Sequence, residues 1–152
     1  MNISAETVKT LRDKTGVSVM QCKKALEEAD GDMQKALEIL ARVSADIVRK
    51  KSDRALKAGT VASYVHNTKQ VGAMVLLSCE TDFVGKNEEF IRLAYDIAMH
   101  AAAMRSEEPA ELLEQPFIKD GAKTVCNLLE EATQKFGERI ELSACRLLSV
   151  TG

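Results

Sequence analysis

Apolar positions recur at helical spacing through the first 45 residues of this chain and switch to alternation beyond Gly59. Ser4 can cap a helix whose apolar points are Val8 and Leu11, with Thr15-Gly16 as its stop. Ser18 can cap a second, in which Val19, Cys22, Leu26 and Ala29 fall on one stripe before Asp30-Gly31 breaks the chain. Asp32 can cap a third, carrying Met33, Ala36, Leu37, Leu40 and Val43 on one face. Three short helices with apolar stripes make a minimal bundle. Five basic residues (Arg49, Lys50, Lys51, Arg54, Lys57) then read as a solvated helix extension or linker.

Beyond Gly59, "TVASYVHN" and "VGAMVLLSC" alternate as two antiparallel strands joined by a hairpin around Thr68-Lys69. Asn87 can cap a helix with Glu88 and Glu89 in its first turn, where carboxylates complement the macrodipole. Phe90, Leu93, Ala94, Ile97, Ala101 and Met104 are its expected buried stripe. "SEEPAELLEQP" holds both prolines and permits at most a brief helix. Val125, Leu128, Leu129, Ala132 and Phe136 mark a further amphipathic helix closed by Gly137, and Ile140, Leu142 and Ala144 alternate as a third strand. The pattern predicts an α+β protein: residues 1–48 a three-helix domain, 49–58 a basic linker or helix extension, and 59–152 a core of a three-stranded antiparallel sheet packed with helices.

Composition narrows this picture. Aromatic residues are 4% of the chain and tryptophan is absent, so the core must be aliphatic, which favours Ala-, Leu- and Met-bearing helices over a large β-sandwich. With 21 basic and 23 acidic side chains the formal charge is −2, which argues against a general nucleic-acid binder and for a protein partner. Cys22, Cys79, Cys126 and Cys145 stand far apart without a CxxC pair, so they read as buried thiols in a reducing compartment rather than metal ligands or a disulfide framework. The N-terminal stretch lacks the apolar run of a signal peptide, and no 18-residue apolar stretch occurs. The expectation is a cytoplasmic protein without membrane contact.

Candidate chemistry is sparse. Cys79 with His66 or His100 could form a thiol–imidazole pair, but Cys79 falls on the apolar face of a predicted strand, where free cysteine is a structural residue. His66 reads as a solvated turn residue, and His100 as either a satisfied helix histidine or a contact residue. No GxxxxGK[ST] or GxGxxG occurs, so no nucleotide site and no cofactor are expected. The 49–57 basic run carries no interleaved aromatic residue and reads as solvated. "CETDFVGKNEEF", residues 79–90, stands apart, because it sets Phe83 at a strand-to-helix corner where polar residues are usual. Two readings remain open for Phe83: a plug folded under the sheet, or a rigid exposed anchor suited to a partner's pocket.

"LRDKTGVSVMQCKKALEEADGDMQKAL" (residues 11–37), the Thr81-Asp82-Phe83-Val84 corner and "EQPFIKD" (residues 114–120) together resemble, in order, three motifs of the translation elongation factor Ts family. The resemblance spans nearly the whole chain. It implies a guanine nucleotide exchange factor for elongation factor Tu rather than an enzyme. It further implies an N-terminal bundle like the ubiquitin-associated fold that docks on Tu through Arg12, Val19, Met20 and Lys23. Asp82 and Phe83 would intrude near the magnesium and phosphate site, shaped by Thr81 and Val84, and His100-Ala101 would address a second domain of Tu. Many family members have two core halves and a helical-hairpin insertion; this chain has neither. Each protomer of a homodimer, joined partly through sheet edges, is therefore expected to supply one half. Gln21 stands where the family often has Asp, Gly85 where it commonly has Ala, and the last strand lacks the family's paired arginines. A rival reading is an adaptor whose N-terminal bundle binds a ubiquitin-like or nascent polypeptide while the core dimerises.

Overall fold

Ser4, Ser18 and Asp32 each cap a helix as the sequence predicts, their side-chain oxygens accepting from the backbone N–H groups of Thr7, Gln21 and Lys35. The computed structural model describes residues 2–152. Its helices begin with α1 (Ala5–Thr15), α2 (Val19–Glu28) and α3 (Met33–Lys50). Gly16 ends α1 in the left-handed conformation, and Asp30 and Gly31 both take positive φ between α2 and α3. Val8, Leu11, Val17, Cys22, Ala25, Leu26, Ala36 and Leu40 form one buried cluster among these helices. Val43 lies at the surface instead of the predicted stripe.

The chain divides into two compact units: residues up to Ser52 together with Glu130–Gly137, and Asp53–Leu129 together with Glu138–Gly152. In the first unit, Gln21 accepts a 2.6 Å hydrogen bond from the Gln134 amide, whose oxygen accepts from the buried Ser44 hydroxyl. Glutamine at position 21 thus has a structural partner of its own.

The second unit contains the predicted sheet. β1 (Ala58–Val65) pairs antiparallel with β2 (Val71–Cys79), which pairs antiparallel with β5 (Glu141–Ser149), so β2 is central. Ala73, Val75, Leu77 and Cys79 of β2 point to one buried face, with Leu142 and Cys145 of β5 beside them. Helix α5 (Glu88–Met104), capped by Asn87, packs on β1 and β2 and buries Phe90, Ala94, Ile97, Ala98, Ala101 and Ala102. Met104, predicted on that stripe, is exposed at the helix end, where Arg105 turns the chain into αL. The opposite sheet face bears Val61, Val65, Met74, Leu76 and Leu148, all exposed, with Leu148 at 82%. No described helix is long and apolar enough to cross a membrane.

Two features depart from the sequence pattern. The register of β2 against β5 shifts between Leu76 and Leu77, leaving Ser143 unpaired, so the alternation predicted from Ile140 breaks and Cys145 rather than Ala144 points inward. Beyond α6 (Pro109–Glu114), the Gln-Pro-Phe stretch begins a small second sheet, β3 (Pro116–Phe117) with β4 (Asp120–Thr124), that leads into α7 (Val125–Phe136). Its strands are too short for alternation to reveal.

Gly59 sits opposite Ser78 in the β1–β2 ladder, and a Cβ placed on it would come within 2.5 Å of the Leu77 carbonyl oxygen. Gly59→Ala should therefore destabilise the protein by about 1–3 kcal/mol through overpacking against backbone. Gly121→Ala, where nothing lies within 4 Å of the added carbon, should stay within about 0.5 kcal/mol of the wild type. Urea unfolding of the two variants measures the contrast.

Candidate partner-docking site

The corner after β2 is built by capping. Cys79 ends the strand, the chain bends at Glu80, Thr81 is extended, and a single helical turn, α4 (Asp82–Gly85), follows before Asn87 caps α5. The Thr81 hydroxyl accepts from the Val84 N–H at 3.4 Å, and the Asn87 side chain accepts from the N–H groups of Glu89 and Phe90. In a turn this short only one apolar side chain can face inward, and Val84 takes that place, with Gly85 buried beside it. Phe83 points out and is 92% exposed. Of the two readings open from sequence, the core plug is thus excluded in this structure. Asp82 and Thr81 lie on the same exposed corner.

Gly85 makes the corner compact. A Cβ there would approach the backbone oxygen and nitrogen of Gly59 at 3.1 and 3.3 Å, so the turn rests directly on β1. The position where the resemblance would place alanine has little spare room.

A polar clasp surrounds this turn. Glu138 accepts from the backbone N–H groups of Glu80 and Thr81, each at 3.0 Å, and from the Thr81 hydroxyl at 2.6 Å. The Glu80 carboxylate in turn accepts from the Arg139 N–H and pairs with Arg54 at 3.5 Å, while Arg139 donates to the Arg54 carbonyl at 2.7 Å. Arg54, assigned to a solvated run by its sequence neighbourhood, is therefore partly engaged. Cys79 lies within this anionic setting, fully buried, its thiol donating to the Thr81 carbonyl at 3.2 Å. Burial, then the neighbouring Glu138, Asp82 and Glu80 charges, push its pKa up, so the thiolate needed for nucleophilic chemistry is disfavoured.

Arg12, Val19, Met20 and Lys23 all lie at the surface of the first unit, with Met20 81% exposed. His100 and Ala101 do not. Both are fully buried within the chain. The small side chains that follow His100 allow α5 to sink against the sheet, and the imidazole is consumed inside. Its Nε2 donates to the Gln115 side-chain oxygen at 2.9 Å, its Nδ1 accepts from the Ile118 N–H at 3.2 Å, and its ring lies 5.8 Å from that of Phe117. His100 thus fastens the Gln-Pro-Phe segment to α5. His66 is half-buried rather than solvated, its Nδ1 hydrogen-bonded to the Tyr64 hydroxyl at 3.0 Å. An open cleft of about 460 Å³ lies at the hairpin end of the sheet, away from the Phe83 corner, lined by Tyr64, His66, Met99, Arg105, Ile118 and Lys119. Among the described residues, no cluster of three or more His, Cys, Asp or Glu side chains could hold a metal ion.

The three motifs noted in the sequence thus sit on α1–α3, on the α4 corner and on β3. A family model described as elongation factor TS matches residues 2–107 and, in a second overlapping stretch, residues 80–152. The chain belongs to the elongation factor Ts family. An elongation factor Ts from Thermosipho melanesiensis is 38% identical over 186 aligned positions, which cover 93% of this chain and 95% of that protein. Another, from Thermodesulfovibrio yellowstonii, is 39% identical over 92% of each chain. One from Clostridium botulinum (strain ATCC 19397 / Type A) is 42% identical over 97% of this chain but only 48% of its own length. This chain thus spans nearly all of some elongation factor Ts proteins and about half of the clostridial ones. The alignment to the Thermosipho protein is longer than this chain, so that elongation factor Ts carries residues with no counterpart here.

Glu138 escaped the sequence reading because its partners lie 57 and 58 residues away and no local periodicity marks it. For His100, burial lowers the pKa below its usual 6.5, outweighing the opposing hydrogen bond to Gln115. Its stabilising effect is therefore present above about pH 6.5 and lost as pH falls toward the folded-state value, because the unfolded chain takes up the proton first. Between pH 7 and 5, His100→Gln should make unfolding free energy less steeply pH-dependent than the wild type, by at most about 1.4 kcal/mol per pH unit. Urea titrations at a series of pH values test it.

Proposed function

We propose that this protein is a guanine nucleotide exchange factor acting on elongation factor Tu during translation elongation, and that the Thr81–Val84 turn enters Tu near its magnesium and phosphate site. The observation that carries this reading is Phe83, almost wholly in solvent on a turn capped at both ends. An exposed aromatic costs the fold the roughly 1.5–3 kcal/mol that its burial would contribute, and a partner pocket is the place where that free energy is recovered. Asp82 and Phe83 are the intruding pair, Thr81 and Val84 hold them, and Arg12, Val19, Met20 and Lys23 form a second contact on the helical unit. Such a site would operate in the cytoplasm, where translation takes place.

Exchange needs no bond made or broken, and so no catalytic nucleophile, metal or cofactor of its own. A factor that binds nucleotide-free Tu more tightly than its GDP complex must weaken GDP binding by the same ratio. Phe83 burial realised only in the open state would account for about 10- to 150-fold of that ratio. Loss of magnesium coordination, which neutralises the diphosphate, would supply the remainder.

The homodimer belongs to the same proposal. The sheet face with Val61, Val65, Met74, Leu76 and Leu148 is apolar and exposed among the described residues, and β1 and β5 are edge strands beside it. Clostridial relatives about twice as long are matched over only half their length, and a second copy packed face to face would provide the remaining half by two-fold symmetry. The adaptor reading draws on the exposed Val19 and Met20 but assigns Phe83 no role.

Stopped-flow release of fluorescent GDP from Tu of the same organism tests the main reading. Wild-type protein should accelerate release, and Phe83→Ala should lose about 10-fold or more of that acceleration with an unchanged melting temperature. Equal acceleration by the two proteins rejects the role of Phe83, and no acceleration by a folded wild type favours the adaptor. In sedimentation equilibrium, Leu148→Asp should shift the protein from dimer to monomer. A monomeric wild type rejects the dimer.

A further inference from the structure

We infer that Glu138 is a positioning residue for nucleotide exchange, acting on the partner only through the direction in which it makes the Thr81–Val84 turn present Phe83; this rests on the exchange reading above. Glu80 and Thr81 lie beyond the end of the β1–β2 ladder, which closes with the Ala58–Cys79 pair. Their N–H groups have no sheet partner left, and a single oxygen of Glu138 accepts both, at 3.0 Å each. The other oxygen accepts the Thr81 hydroxyl proton at 2.6 Å. One carboxylate therefore fixes the two residues that set the entry direction of α4.

The hydroxyl bond reaches further. Thr81 has one O–H proton and two lone pairs. With the proton committed to Glu138, a lone pair is turned toward the Val84 N–H, which is the cap that opens the four-residue turn. Glu138 thus orients the cap, the cap holds Val84 inward, and Val84 inward leaves Phe83 outward. The converse clasp, from the Arg139 N–H and Arg54 to the Glu80 carboxylate, locks the two segments to each other from the other side. Glutamine in place of Glu138 would keep the volume and one acceptor oxygen but offer an N–H₂ donor to the Thr81 oxygen, competing with Val84 for it.

The test is a titration of GDP release from Tu, separating the saturating rate from the half-saturating concentration. Glu138→Gln should lower the saturating rate about tenfold, the scale of a lost cap, while half-saturation stays within about twofold because the rest of the docking surface is intact. In a Phe83→Ala background the same substitution should have no further effect, since Glu138 acts only through the turn. Amide hydrogen exchange on the factor alone should show faster exchange at Glu80, Thr81 and Val84 in Glu138→Gln. Should that variant fail to fold, Thr81→Val, which removes only the hydroxyl, should give the same loss of saturating rate. An unchanged rate in a folded Glu138→Gln, or losses that multiply with Phe83→Ala, would overturn the positioning role while leaving the exchange reading intact. A wild type that does not accelerate release would overturn the exchange reading and the role of Glu138 with it.

Discussion

The contact on which the rest of the second unit depends is backbone on backbone: the α4 turn at Gly85 resting on β1 at Gly59, and β1 at Gly59 resting on the Leu77 carbonyl of β2. Three segments meet with no side chain between them. A compact corner of this kind leaves no cavity for a large residue from the turn, so the single inward position is filled by valine and the aromatic is forced out. The exposure of Phe83 is thus a consequence of how closely the chain packs there, rather than of looseness. A compact corner loses less backbone freedom on binding than a mobile loop would.

The sheet beneath the corner is held by small side chains. Ala94, Ala98, Ala101 and Ala102 of α5 bring the helix close to Ala73, Val75 and Leu77, so a chain without tryptophan still excludes water from its core. Close approach leaves little room for a polar side chain on that helix, and His100 is accommodated only because both ring nitrogens find partners in the 115–118 segment. The same arrangement leaves the other sheet face bare. Met74, Leu76 and Leu148 on that face are exposed among the described residues.

Much of this was legible in the sequence because it is local. Four side-chain caps, the glycine that ends α1, the hairpin and the alternation of β2 all follow from spacing within a few residues, and all are present. Phe83 could be singled out but not placed, since outward and inward positions of a four-residue turn differ by a rotation that periodicity cannot specify over so short a span. The β3–β4 pair and the bulge opposite Leu76 were invisible for a related reason: each involves too few residues to make a pattern. The partners of His100 could not be named, because Gln115 and Ile118 carry no signal of where they fold. The clasp of Glu138 with Glu80 and Thr81 is the extreme case, joining residues whose separation along the chain hides any relation between them.

The difference between what was legible and what was hidden has a functional side. Local rules build the strand, the cap and the helix, but a strand end followed by one turn has several entry angles of similar energy, and propensity does not choose among them. Long-range polar bonds to the amides of Glu80 and Thr81, just beyond the end of β2, supply that constraint here. A carboxylate suits this task better than an apolar contact, because its acceptor geometry is directional and one group can accept from several donors at once. A turn aimed in this way can be stiff without being buried, and its apolar tip can remain in solvent until a pocket of the right depth is offered. The free energy that keeps the tip in place is supplied within the chain itself.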